Sequence, residues 1–152
     1  MMRTYLVVID ESVEARVALR FAARRAAKTG GGIEIMAPIA PPEFVQWGAV
    51  QSAMEEEARI RVDALIAQVA GELIEETGLR PSVTVVQGEP VACVRDRLKR
   101  EPTIAALVLG AAIGPAPGVL VTHFAGAEAG MLRCPVMIVP GSLDDAAIDL
   151  LS

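Results

Sequence analysis

Apolar and polar positions fall into two alternating kinds of run along the chain. Residues 4–9, 33–39, 83–86, 104–109 and 136–139 are short, near-continuous apolar stretches, which read as strands buried on both faces. Between them, apolar residues recur every three or four positions, the period of a helix with one buried face. Val13, Val17, Phe21 and Ala22 define the first such helix, over residues 12–28, with Ser12 as its N-cap and Thr29, Gly30, Gly31 and Gly32 as its stop. Ala58, Val62, Leu65, Val69 and Leu73 define a second, over residues 51–77, whose charged remaining faces predict a helix lying over a sheet. Gly88, Glu89 and Pro90 introduce a third, running to about Arg100. The fourth is predicted over residues 119–132, weakened by Gly126 and Gly130. The order βαβαβαβαβ predicts an α/β fold: one open, doubly wound, mostly parallel five-stranded sheet with helices on both faces and right-handed crossovers.

Composition narrows the picture without changing it. The 152 residues are 53% hydrophobic but only 3% aromatic, so Val, Ile, Leu and Ala must fill one core. A net charge of −5 argues against nucleic acid as a partner, since binding it needs a basic face. Arg16, Arg20 and Arg24, spaced by four and followed by Arg25 and Lys28, read as a solvated helix face with cations near its C-terminus. Cys93 and Cys134 stand far apart with no metal-ligand spacing and are expected to pack as reduced thiols, so a cytoplasmic location is expected and no metal site. The uncharged span 102–122 is broken by Gly110, Gly114, Pro115, Pro117 and Gly118, which argues for strand, loop and helix and against a membrane segment. Residues 1–141 form the expected domain, and residues 142–152 an acidic tail that is either a docking helix or a frayed end.

Ligands of such sheets gather beyond the carboxyl ends of the strands, where strand order reverses. Here those ends are Asp10, the segment around Ala37 and Pro38, residues 87–89, and the Gly/Pro loop from Gly110. That loop follows a buried strand and opens a helix, the architecture of a nucleotide site. Its chemistry is unusual: no Lys or Arg occurs between Arg100 and Arg133, and Pro115 and Pro117 have no N–H for a phosphate. The single histidine, His123, leaves no second base for a relay, and no serine sits in a Gly-x-Ser-x-Gly setting, so no catalytic residue is expected. Phe44 and Trp47, on the long connection after Pro41 and Pro42, are candidates for a lid over a small uncharged or weakly anionic ligand.

Four segments, in order and spacing, resemble the universal stress protein family over nearly the whole chain: VVIDES with Asp10 and Ser12, QGEP with Gly88 and Pro90, ALVLGA with Gly110, and CPVMIVPG with Cys134, Pro135 and Val136. The resemblance implies a Rossmann-like, adenine nucleotide alpha hydrolase-like sheet of order 3-2-1-4-5. It implies a site for ATP or AMP with Mg²⁺, in which Asp10 meets the adenosine, Ala37 and Pro38 meet the base, and Gly110, Gly114 and Gly118 line the phosphates, with Thr122 and His123 in hydrogen-bonding reach of them. The family's Gly-x2-Gly-x9-Gly-Ser/Thr signature is incomplete here. Counted from Gly110, the second glycine falls on Ile113, with Gly114 one place late, and Thr122 and His123 stand where the Gly-Ser pair belongs. The expected function is therefore a non-catalytic binding and regulatory module of the stress response, with a degenerate nucleotide pocket and an unnamed protein partner. The alternative is an adenine-nucleotide-binding switch or slow ATPase. In that sheet order the last strand is an edge, and the resemblance implies an isologous homodimer through Val136, Met137, Ile138 and Val139.

Overall fold

A computed structural model of the chain describes residues 2–40 and 48–152. Phe44 and Trp47, the expected lid, lie outside the described residues. Five strands, β1 (Thr4–Val8), β2 (Gly32–Ile39), β3 (Ser82–Gln87), β4 (Ile104–Ala111) and β5 (Val136–Pro140), form one sheet in the order β3-β2-β1-β4-β5. Every pairing is parallel, with β1 central, in register with Gly32–Met36 on one side and with Ile104–Val108 on the other. The helices are α1 (Val13–Thr29), α2 (Gly48–Thr77), α3 (Pro90–Arg100), α4 (Val119–Phe124) and α5 (Asp145–Leu151), with a 3-10 turn at Ala129–Met131.

The two-residue period of a strand sorts its side chains between two cores. Val7 of β1 and Ile9 just after it, Ile35 of β2 and Val108 of β4 face α1 and the second half of α2. Leu6 and Val8, Met36, and Leu107 and Leu109 face α3 and α4, where Val94, Leu98 and Phe124 complete the packing. Alanines 15, 18, 22, 23 and 26 make the buried stripe of α1, so that helix lies close on the sheet.

The closest approach is at Gly110. A Cβ there would stand 2.0 Å from the Glu14 carbonyl oxygen, so only glycine lets the first turn of α1 cross the end of β4. Ser12 caps α1 as the sequence predicts, its Oγ accepting the Ala15 N–H at 3.3 Å, and Gly30 ends it at φ +72°.

Three sequence expectations are revised. The helix predicted over residues 119–132 stops at Phe124, because the chain turns about the His123 carbonyl, which accepts the N–H groups of Gly126 and Glu128. Of α2, only Ile66, Val69 and Leu73 are buried, all in its second half, so its first half adds no buried side chain to the core. The arginine stripe of α1 is a solvated face only in part, with Arg16 and Lys28 exposed and Arg20 and Arg24 engaged in ion pairs. Arg20 pairs with Glu76 at 2.9 Å and Asp149 at 3.4 Å, Arg24 with Asp149 at 3.2 Å, and Lys28 donates to the Asp149 carbonyl at 2.9 Å. Glu76 comes from α2, and the acidic tail supplies Asp149: it forms α5, capped by Asp144, with Ile148 1% exposed against the domain.

Candidate functional site

At the carboxyl ends of β1 and β4, where strand order reverses, a cavity of about 260 Å³ opens between the starts of α1 and α4. One wall is the chain leaving β1: Asp10, Ser12 and Glu14. Asp10 is fixed by a tight turn in which its Oδ1 accepts the Ser12 N–H at 2.8 Å. Glu14 follows on the first turn of α1, half-buried, with no hydrogen-bond or ion-pair partner for its carboxylate among the described residues. The rest of the lining includes Gly110, packed against Glu14, with Pro117, Gly118, Val119 and Leu120 from the loop and the start of α4, and Pro38 and Pro90.

The loop from β4 to α4 is closed by the Ala112 N–H donating to the Pro117 carbonyl at 3.0 Å. Gly118 stands at φ +116°, a conformation that favours glycine, and provides no side-chain cap to α4. No lysine, arginine or histidine is among the described residues lining the cavity. Arg61 of α2 meets Glu11 at 4.0 Å, outside that lining.

Of the eight positions expected at a nucleotide, the structure brings Asp10, Pro38, Gly110 and Gly118 together around this cavity. Ala37 is 1% exposed and belongs to the core. Gly114, at φ +120°, lies in the loop beyond the lining. Thr122 and His123 line a separate, largely apolar cleft with Val91, Ala116 and Ala127, and Gly118 and Val119 separate it from the first cavity.

His123 is occupied by a side-chain cluster. Its Nε2 lies 2.7 Å from Glu128 Oε1, and the Arg95 guanidinium donates to the same oxygen, tying the turn after α4 to α3. Those two partners hold the Glu128 carboxyl down at about 2. Glu89 caps α3 by accepting the Val91 and Ala92 N–H groups at 2.9 Å each, and those bonds lower its pKa.

Glu14 is the lining residue that sequence reasoning passed over. The available signal was its place four residues after Asp10, on the first turn of the helix that the same segment caps. Burial pushes the Cys93 and Cys134 thiols up, Glu89 and Asp96 adding to the effect at Cys93, so both favour the unreactive protonated form at neutral pH. Among the described residues no group of three or more His, Cys, Asp or Glu side chains is placed to hold a metal ion. No described helix is long and apolar enough to cross a membrane.

The far edge of the sheet is β5. Its inner side pairs with β4 from Leu107↔Val136 to Ala111↔Pro140, while Ile138 points outward, 43% exposed, and Val139 is buried in the domain's own core.

Comparison with known proteins places this arrangement. Residues 1–140 match the model of the universal stress protein family. No curated protein matches the chain significantly. Among solved structures, universal stress protein UspA from Lactobacillus plantarum is similar at 16% identity and a TM-score of 0.76, over 90% of this chain and 97% of that one. A universal stress protein from Archaeoglobus fulgidus in complex with dAMP is 18% identical at a TM-score of 0.61, over 91% and 98%. A family protein from Arabidopsis thaliana with AMP bound is 12% identical at 0.58, over 91% of each. At these identities the structural likeness speaks for the fold.

Proposed function

The chain belongs to the universal stress protein family, and on that premise we propose that it is a regulatory module that binds an adenine nucleotide in the cavity at the carboxyl ends of β1 and β4. The observation that carries this reading is the convergence of Asp10, Pro38, Gly110 and Gly118 on one cavity at the point where strand order reverses. Family members from Archaeoglobus fulgidus and Arabidopsis thaliana hold dAMP and AMP. They favour the nucleotide-binding reading over a scaffold whose pocket has decayed.

In this reading the adenosine portion fits the residues present. The Asp10 carboxylate accepts from ribose hydroxyls, Pro38 packs against the base, and Gly110 and Gly118 let the backbone approach closely. The polyphosphate end fits poorly, because the lining contains no cation and Pro117 has no N–H to donate. The module acts by binding and not by turnover, so that ligand occupancy sets its association with a protein partner.

Association begins with a second copy of the chain. The outer edge of β5 with Ile138 on it is the surface we assign to an isologous homodimer, with Val136 and Met137 flanking and Val139 contributing from inside. Light scattering across a dilution series tests the dimer, and a concentration-independent monomer refutes it. Isothermal titration with AMP tests the site. Saturable binding weakened at least tenfold by Asp10→Ala supports it, and a flat titration removes it. Release of phosphate from ATP above the buffer rate contradicts the non-catalytic assignment.

A further inference from the structure

We infer that Glu14, acting with Asp10, makes this cavity a charge filter that takes the uncharged adenosine nucleoside in preference to its phosphates, and rejects polyphosphates most strongly. The inference rests on the adenine-binding reading above and names which adenine compound the site prefers.

Three observations carry it. The lining includes two acidic residues, Asp10 and Glu14, and no described lysine, arginine or histidine. The two carboxylates are differently engaged: Asp10 holds the Ser12 N–H, whereas Glu14 has no partner among the described residues to offset its charge. The root of the Glu14 side chain is also set by close packing of its backbone and Cβ against two glycines. A Cβ on Gly110 would stand 2.0 Å from the Glu14 carbonyl oxygen, and a Cβ on Gly141 would stand 2.9 Å from the Glu14 Cβ.

An anion entering this site loses water, meets no compensating cation, and approaches the negative charge of two acidic residues. At a partly solvated site each like-charge encounter shifts an equilibrium by roughly threefold to thirtyfold. Added phosphates therefore count against binding in proportion to their charge. A nucleoside offers ribose hydroxyls to the same carboxylates as donors and escapes the repulsion. For the uncharged ligand the acidic wall is a recognition element; for the polyphosphate it is a barrier.

The test is a ladder of adenosine, AMP, ADP and ATP, titrated calorimetrically into the full chain with EDTA and again with Mg²⁺. Affinity is expected to fall at every rung, with ATP at least tenfold weaker than adenosine, and added salt is expected to narrow that gap. Glu14→Gln is expected to raise the ratio of ATP to adenosine affinity at least fivefold. Asp10→Asn, which keeps an acceptor for the Ser12 N–H, is expected to raise it less. A thermal melt of each variant separates these outcomes from misfolding.

ATP binding as tightly as adenosine, with or without Mg²⁺, overturns the filter and leaves the adenine site standing. An unchanged ratio in a folded Glu14→Gln protein overturns the assignment to Glu14. Failure of every rung to bind removes the adenine reading and the filter with it.

Discussion

At the amino-terminal end of the sheet Arg97 grips Glu34 of β2 through two bonds of 2.7 Å, and the Thr84 hydroxyl donates to the same carboxylate at 3.0 Å. Nearby, Arg133 spreads its guanidinium over the carbonyls of Leu98, Glu101, Pro102 and Ile104, at 2.8 to 3.3 Å. At the carboxyl-terminal end, Asp10 and Glu14 border a cavity with no described cation in its wall. The charge buried at one end, Glu34, is neutralised within the fold, whereas the exposed Asp10 and half-buried Glu14 at the other face an open cavity. An end whose charges are internally satisfied holds the layers together, and an end with unmatched polar groups around a cavity is where a ligand gains most by binding.

The most forceful way to break this contrast is at Glu34, whose side chain is 4% exposed. Glu34→Ala strands the Arg97 guanidinium beside the core, and a loss of about 3 to 5 kcal/mol in urea-unfolding stability is expected. A loss below 1 kcal/mol means the pair does not fasten α3 to the sheet. Next is Gly110→Ala, which drives a methyl into the Glu14 carbonyl and is expected to cost about 3 kcal/mol. If its denaturation midpoint matches wild type, the clamp on α1 is not rigid and the fixed position of Glu14 is lost with it.

Arg133→Ala comes third, at about 1 to 3 kcal/mol, because the carbonyls after α3 lose a charged donor. Asp10→Ala should separate the two ends most cleanly: it is expected to weaken AMP at least tenfold while unfolding stability stays within about 1 kcal/mol. Comparable damage to folding would place Asp10 with the structural charges.

The smallest effect concerns the cluster that ties α4 to α3. The Glu128 carboxyl sits at about 2 in the folded chain, against an ordinary value of 4.5, because Arg95 and His123 favour its ionised form. A depressed carboxyl contributes stability that is complete above about pH 4.5 and disappears as pH falls toward 2. The melting temperature of wild type should therefore fall more steeply across that window than that of Glu128→Gln, and parallel curves would dissolve the cluster as a stabilising unit.

Legibility in the sequence followed the range of the interaction. All five strands and the cap at Ser12 were readable, because alternation and capping are written in neighbouring residues. Gly110 was readable as the end of a strand, but its constraint, the Glu14 carbonyl, arrives from a helix some hundred positions earlier. Glu34 was passed over inside a run read as apolar, and nothing local singled out Arg97, 63 residues away, as its partner among the arginines. The stripe of Arg20, Arg24 and Lys28 and the acids at Asp145 and Asp149 were each legible as charge. Their mutual pairing was not.

By itself, then, the sequence determined the alternation of strand and helix, the parallel sheet it entails and the absence of cations from the loop after β4, since each depends on backbone preference or composition within a short window. The tertiary structure alone decided that Glu14 joins Asp10 at one cavity, that Thr122 and His123 belong to another cleft, and that the arginine stripe is covered by α5. Those outcomes depend on which distant segments the crossovers set side by side, and on sites where two backbones approach so closely that only glycine fits between them.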